Sequence, residues 1–458
     1  MPPRRILIIG CGIAGPTLAT FLLMAARKNM VSSDGLLITI LERSARPYAH
    51  GANVDIRGAG VSIIRKLGLE SAIRACTTGE EGVRFVDAED RVQFELRADK
   101  TGKTSTPTSD IEILRGRLAE LLFARCKNVS EEMSQQDGTA AAPAKVEHIF
   151  GDRLESLDQD EDEVRVRLAK NGERTFDLVV AADGLQSQTR KMVFGEEDEG
   201  ERIRRLGMYA GFFSMPKGPT DTLWRRWFHA PGRRGIMQRP AERGPDGQTD
   251  RSTILIYVVN DKDQRLRDVA GRKGVEAQKA LLKEYYADAG QVLHSWECDR
   301  IVREMEAADD FYYDMVAQVK MDKWSKGRVV LLGDAGYCAS PISGMGTTLG
   351  LNGAYILAGA LVQHPDDHSA AFSEYEQKMR PIVDKAQKLA PGMPHAINPE
   401  TAWGIWTMHT IMAFIARSGL IDLMFKLGMG PPAHQVQVED YDFGELSDWK
   451  EWQDAISS

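Results

Sequence analysis

The glycines of Gly10-Cys11-Gly12-Ile13-Ala14-Gly15 have the spacing that cradles a pyrophosphate. They follow the apolar run 4–9 and open a stretch, 16–26, whose apolar residues recur at helical spacing. In such a loop the first glycine permits the tight turn, the second lets phosphate approach the backbone, and the third lets the helix pack on the strand. Backbone N–H groups and the positive end of the helix dipole then hold the phosphates. Pro16 suits the first helical turn, where its missing N–H costs little. Glu42, followed by Arg43, ends the next β-rich run, 36–41, where a carboxylate can accept hydrogen bonds from an adenosine ribose. Together these features predict a dinucleotide site; the plain alternative is a tight turn without a ligand.

Two further segments carry chemistry. Asp177-Leu178-Val179-Val180-Ala181-Ala182 leads into Asp183-Gly184, with Ser187 and Arg190 after it. Val329 to Leu332 leads into Gly333-Asp334-Ala335-Gly336, with Pro341 and Gly344-Met345-Gly346-Thr347 downstream. Read plainly, the first is a strand with an Asp-Gly turn and the second a glycine-rich helix packed on a neighbour.

The elements that position these residues are legible in outline. The runs 4–9, 36–41, 176–182 and 329–332 are continuously apolar, as strands covered on both faces are; the first two flank a helix in a βαβ unit. A helix over 60–67, a hairpin over 83–94, a helix over 111–124, helices over 275–287 and from 369 to 389, and a glycine-studded helix to Val362 are expected. The segments 27–35 and 99–110 read as loops, 127–145 as a flexible insertion, and 403–427 as amphipathic helices packed on the body. Between 206 and 259, β-like segments alternate with Pro/Gly loops.

Composition narrows the classes. With 458 residues, 43% hydrophobic and 27% charged, the chain resembles ordinary soluble proteins and exceeds one compact core. A net charge of -8 offers no basic face for nucleic acid. No apolar stretch reaches the 18 or so residues that span a bilayer, and no secretion signal is expected because glycines break the N-terminal run. Five scattered cysteines without a C-x-x-C pair predict reduced thiols and a cytoplasmic setting. No metal site is expected.

In order and separation the three motifs resemble those of the FAD-dependent monooxygenases related to para-hydroxybenzoate hydroxylase. Asn53-Val54-Asp55-Ile56-Arg57-Gly58 and Glu112-Ile113-Leu114-Arg115 with Leu118 are similar to flavin-proximal segments of its tetracycline-inactivating subgroup. Arg57 reads equally simply as a surface cation, and Arg115 less readily so. The resemblance implies an α/β (α+β composite) fold: a Rossmann-like FAD-binding domain, an interleaved β-sheet substrate domain and a C-terminal helical region. The expected boundaries are 1–86, 110–205 and 320–390 for FAD, 87–109 and 206–319 for substrate, and 391–458 for the tail. It further implies that Asp334 accepts hydrogen bonds from the ribityl chain, that the glycines after it and a helix from Thr347 face the pyrimidine edge, and that Asp183 lies near the flavin. Gly10, Gly12, Ala14, Gly15, Glu42, Arg43, Asp55, Arg57, Arg115, Asp183, Gly333, Asp334, Pro341, Gly344, Met345, Gly346 and Thr347 are thus the expected cofactor residues. The chain departs from many relatives in having Tyr337 where they have histidine and Asn352 where they have an acid, so no catalytic histidine is carried over.

By the same resemblance, NADH or NADPH reduces the flavin, O2 yields a C4a-hydroperoxide, and an electrophilic oxygen passes to an electron-rich substrate. Phe213, Met215, Phe228, His229, Met237 and Tyr257 are the expected pocket residues. Their aromatic and Met content, without an evident carboxylate clamp, favours a bulky aromatic, polycyclic or polyketide-like substrate of secondary metabolism. A flavin dehydrogenase or reductase, or a non-catalytic protein resembling the Rab GDP-dissociation inhibitors, are the alternatives. A halogenase lacks support, since Trp224-Arg225-Arg226-Trp227 does not match W-x-W-x-I-P.

Overall fold

The computed structural model describes residues 4–31, 35–47, 51–98, 110–136, 144–241, 249–270, 274–287, 296–418 and 438–457. A six-stranded sheet forms its centre. In spatial order it runs Ser325–Lys326, Val329–Leu331, Leu178–Ala181, Arg4–Ile9, Leu36–Glu42 and Ala144–Phe150, parallel except for the first strand. The helix Ala14–Arg27 crosses from Arg4–Ile9 to Leu36–Glu42, and the long helix Gly346–Gln363 packs on that helix and on His368–Ala386. Strands covered on both faces explain the unbroken apolar runs: Leu7, Ile8, Val179, Val180, Val329 and Val330 are wholly buried. A three-stranded antiparallel sheet, Leu154–Gln159, Val164–Leu168 and Gly172–Phe176, flanks the centre.

The second layer is a seven-stranded sheet in the order Tyr312–Val319, Ile203–Pro216, Arg251–Val259, Arg234–Pro240, Arg225–Ala230, Gly82–Val86 and Val92–Arg97. Helices Val275–Tyr286 and Cys298–Ala307 cover one face through Leu282, Tyr286, Ile301 and Met305. The strand Gly82–Val86 pairs here, in parallel with Arg225–Ala230, so this sheet begins before residue 87.

The stretch from Glu112 also differs from the sequence reading. Glu112–Leu114 is a short strand paired with Asn53–Asp55, and the helix that follows runs from Arg115 to Gln136, well into the stretch read as a flexible insertion. Its polar second half hides an apolar stripe: Val129 and Met133 face the core. Residues 99–109 and 137–143, and the tail beyond 418 as far as 437, lie outside the described residues. The helix Ala402–Arg417 packs on the outer hairpin of the large sheet and leaves Trp403, Trp406 and Phe414 exposed. Among the described residues no helix is long and apolar enough to cross a membrane.

Candidate functional site

The glycine loop separates glycines required by the fold from one that leaves room. Gly10 has φ +114°, and a β-carbon there would stand 2.4 Å from the carbonyl oxygen of Ala182. A β-carbon on Gly15 would lie 2.1 Å from the Gly10 oxygen. At Gly12 it would meet nothing within 4 Å, so the missing side chain opens space at the helix start, where a pyrophosphate needs it. Beside this space the half-buried Glu42 accepts hydrogen bonds from the Cys11 and Ser44 amides, each 2.9 Å, and Arg43 stands exposed.

Two helices point their N-termini at this region. Ala14–Arg27 and Gly346–Gln363 both lack a side-chain cap and an acid in the first turn. Elsewhere Ser187, Asp367 and Thr401 cap their helices. Helices leave their first N–H groups without internal partners, so these two ends retain donors and positive potential for an anion. They meet closely: the Ala14 β-carbon lies 3.6 Å from the position a Gly333 β-carbon would take and 3.8 Å from that of Gly350. Gly333, at φ +66°, turns the chain into Asp334, whose Oδ1 lies 3.8 Å from the β-carbon position of Gly346. Met345 and Thr347 are buried around that turn, and Pro341 is exposed at its start.

Opposite it, Asp55 and Arg57 form a partly buried ion pair at 3.2 Å. The Arg57 amide donates to Thr348 Oγ1 at 3.2 Å, and Asp55 Oδ2 lies 4.0 Å from the β-carbon position of Gly344. Arg115 begins its helix exposed, packed at 3.6 Å against the β-carbon position of Gly51. Burial pushes the Cys338 thiol far above its usual range; Asp334 raises it further and Arg115 acts oppositely, so both charges address one locus. An uncapped helix end over open space, a carboxylate beside it and a second uncapped helix beside Asp334 fit the phosphate, adenosine and ring ends of FAD.

Comparison with known proteins agrees. The family model described as the FAD binding domain matches residues 4–390. Monooxygenase CTB7 of Cercospora beticola is 35% identical, over 97% of this chain and 99% of its own. FAD-dependent monooxygenase asL6 of Sarocladium schorii is 32% identical over 90% and 92%. The chain belongs to the flavin-dependent monooxygenases of this FAD-binding family. Among solved structures, tetracycline destructase Tet(51) superposes with a TM-score of 0.72 at 27% identity, covering 96% of this chain and all of that one. Klebsiella pneumoniae HpxO, complexed with FAD and uric acid, shares the fold at a TM-score of 0.63 and 17% identity over 94% and 97%.

In this monooxygenase Asp183 serves the turn. Its carboxylate accepts from Ser187 Oγ at 2.6 Å, the Gln188 and Thr189 amides at 3.0 and 3.2 Å, and Thr189 Oγ1 at 3.0 Å. Those four donors fix the Asp183 carboxylate, which holds the start of helix Gln188–Phe194. Arg190, fully buried, carries the connection onward: it pairs with Glu199 and donates to the carbonyls of Leu185 at 2.8 Å and Ala335 at 2.7 Å. The Asp183 and Asp334 segments are thereby locked to each other. Tyr337 points into the core, taking a 2.8 Å hydrogen bond from Tyr375; a β-carbon on Gly353 would sit 2.0 Å from its hydroxyl.

The expected pocket residues divide between two faces of the large sheet. Phe213, Met215 and Phe228 face the helices, in a core with Ile236, Ile256 and Leu282. For Met215 and Phe228 the pocket expectation is corrected, whereas Phe213 is among the residues lining the cleft although its ring lies 6.4 Å from that of Phe311. Met237 and Tyr257 lie on the opposite face with Phe212, Trp227 and Leu255, against Ile342 of the turn that begins at Pro341. A cleft there is lined by Gly51, Asn53, Phe212, Met237, Arg239, Thr253 and Asp310. Tyr257 is wholly buried beside it, accepting from Trp227 Nε1 at 2.8 Å and donating to Asn398 Oδ1 at 2.7 Å. His229 is sealed at the sheet's far end, its Nδ1 3.3 Å from Nε2 of His409 on the C-terminal helix. Burial above all, with a smaller contribution from His409, pulls its pKa down to about 3. Sequence reasoning missed Phe212, Arg239, Thr253, Asp310 and His409; with both faces of the large sheet covered, no local pattern marked them.

Proposed function

We propose that this flavoprotein uses NADH or NADPH and O2 to insert one oxygen atom into a bulky aromatic or polycyclic small molecule, as part of secondary metabolism. The carrying observation is the cleft, whose walls are one face of the large sheet and the strand Asn53–Asp55, which packs on the uncapped helix Gly346–Gln363. Bound FAD would supply the activation of dioxygen; the chain's part is to orient and to keep water out. Gly12 gives the pyrophosphate room, the N-termini of Ala14–Arg27 and Gly346–Gln363 present N–H donors, and Glu42 and Asp334 offer acceptors to its sugar-like portions. Arg57 and Arg115 place positive charge nearby. Phe212, Met237 and Leu255 give a flat apolar bed suited to fused rings. The five buried free cysteines suit a reducing, cytoplasmic setting.

The test is turnover with a panel of small benzoates and large phenols or polyketides, following reductant consumption and product mass. Faster product-coupled oxidation of NADH or NADPH with the large phenols is expected. Good turnover of small benzoates with the large phenols inert would refute the reading.

A further inference from the structure

Side chains alternate across a strand, so residues opposite one another on one face form transverse rows over a sheet. On the cleft face Ser214 stands opposite Thr253, and Thr253 opposite Arg239. In the next row Phe212 stands opposite Leu255, and Leu255 opposite Met237. One row is polar and its neighbour apolar, about 7 Å away by strand geometry. We propose that the polar row reads a hydrogen-bonding edge of the substrate, made of neutral hydroxyl and carbonyl oxygens, while the ring system lies over the apolar row. The proposal rests on the cleft being the oxygenation site and adds which edge of the molecule points where.

The charge state of the row argues for neutral oxygens. Arg239 donates through Nε to Glu80 at 2.9 Å, and its Nη2 is held against Glu112. Both carboxylates are buried, and Glu80 also pairs with Arg225 at 2.8 Å. Two arginines against two glutamates cancel, leaving an oriented guanidinium at the cleft wall without net charge to attract an anion. Asp310 then adds a negative charge at the other end, accepting from the Ser214 amide at 3.1 Å and from its hydroxyl. A substrate carboxylate would be repelled by that charge. The Thr253 hydroxyl donates to Asn53 Oδ1 at 2.9 Å, which leaves its oxygen able to accept a phenolic O–H.

The same row is tied to the flavin-side loops. Asn53 and Glu112 lie on the two-stranded sheet Asn53–Asp55 with Glu112–Leu114, whose ends lead to Arg57 and Arg115. Thr253 and Arg239 thus hold the edge that reads the substrate in fixed relation to the arginines beside the cofactor site.

Equilibrium binding to the FAD-loaded protein, without reductant, tests this through changes in the flavin absorbance. The probes are 1,8-dihydroxyanthraquinone, 9,10-anthraquinone and anthraquinone-2-carboxylate. The dihydroxy compound should bind roughly tenfold tighter than either other probe. Thr253→Val should cut that preference by about fivefold and leave 9,10-anthraquinone binding unchanged. Asp310→Asn should improve binding of the carboxylate selectively. Carboxylate binding as tight as that of the dihydroxy probe, or Thr253→Val and Asp310→Asn weakening all three probes alike, would overturn the proposal. Since no turnover is involved, a probe that binds with the expected preference yet is never oxygenated defeats only the proposed function. Product formation without that preference defeats only this inference.

Discussion

Gly12 and Gly15 are three positions apart, and the lack of a side chain serves different ends at each. Gly15→Ala drives a methyl into the Gly10 carbonyl and should destabilise the whole chain by several kcal/mol, about the cost of a severe backbone clash. Gly12→Val projects into open space and should leave the melting temperature of the flavin-free protein nearly unchanged while abolishing FAD retention. Flavin content and thermal melting of the two variants separate these roles. Ser340, with φ +75° and a buried hydroxyl, holds a conformation that favours glycine just before Pro341. Ser340→Gly should therefore stabilise the chain by about 1 kcal/mol, read from denaturant unfolding.

At the scale of elements, binding depends on how helices and strands are joined. Arg190 bridges the turn after Leu178–Ala181 and the turn after Val329–Leu331, and removing it leaves Glu199 charged and buried. Arg190→Met should cost about 3–5 kcal/mol and reduce FAD affinity in the folded fraction, although the side chain lies within the protein body. The C-terminal helix is joined to the sheet through His409 and His229, inside a cluster of Phe85, Phe94 and Trp227. Burial lowers both histidines' pKa values, the Ile397 backbone opposes this for His229, and Asp87 opposes it for His409. Both are therefore neutral when folded. The His229 contribution is complete above pH 6.5, the ordinary histidine value, and is lost as pH falls through the range down to about 3; that of His409 is lost in the same direction. At pH 5 one such histidine costs about 2 kcal/mol. Thermal melts from pH 7.5 to 5 should show this loss, and His229→Gln should flatten it; identical slopes for both proteins would contradict the assignment.

For the whole molecule, what was legible in the sequence was what is local in it. The loop from Gly10 to Gly15, Glu42 and the Asp334 turn each fit within a few residues, and the buried parallel strands announce themselves as apolar runs. The face of each strand in the large sheet was not legible. Helices cover one side and the cleft and turn the other, so Phe212 and Phe213 are both aromatic and the alternation that marks a half-exposed strand disappears. Rows such as Ser214–Thr253–Arg239, and the Arg239–Glu80 pair, arise only from register between distant segments. Asp183 was legible as a turn, but its partners at Ser187 and Thr189 decided that it braces the site. The account as a whole rests on dioxygen being split over the cleft. Turnover under isotopically labelled dioxygen, with a large phenol and NADPH, should place one labelled atom in the product. An unlabelled product formed while the flavin cycles and reductant is consumed would contradict it.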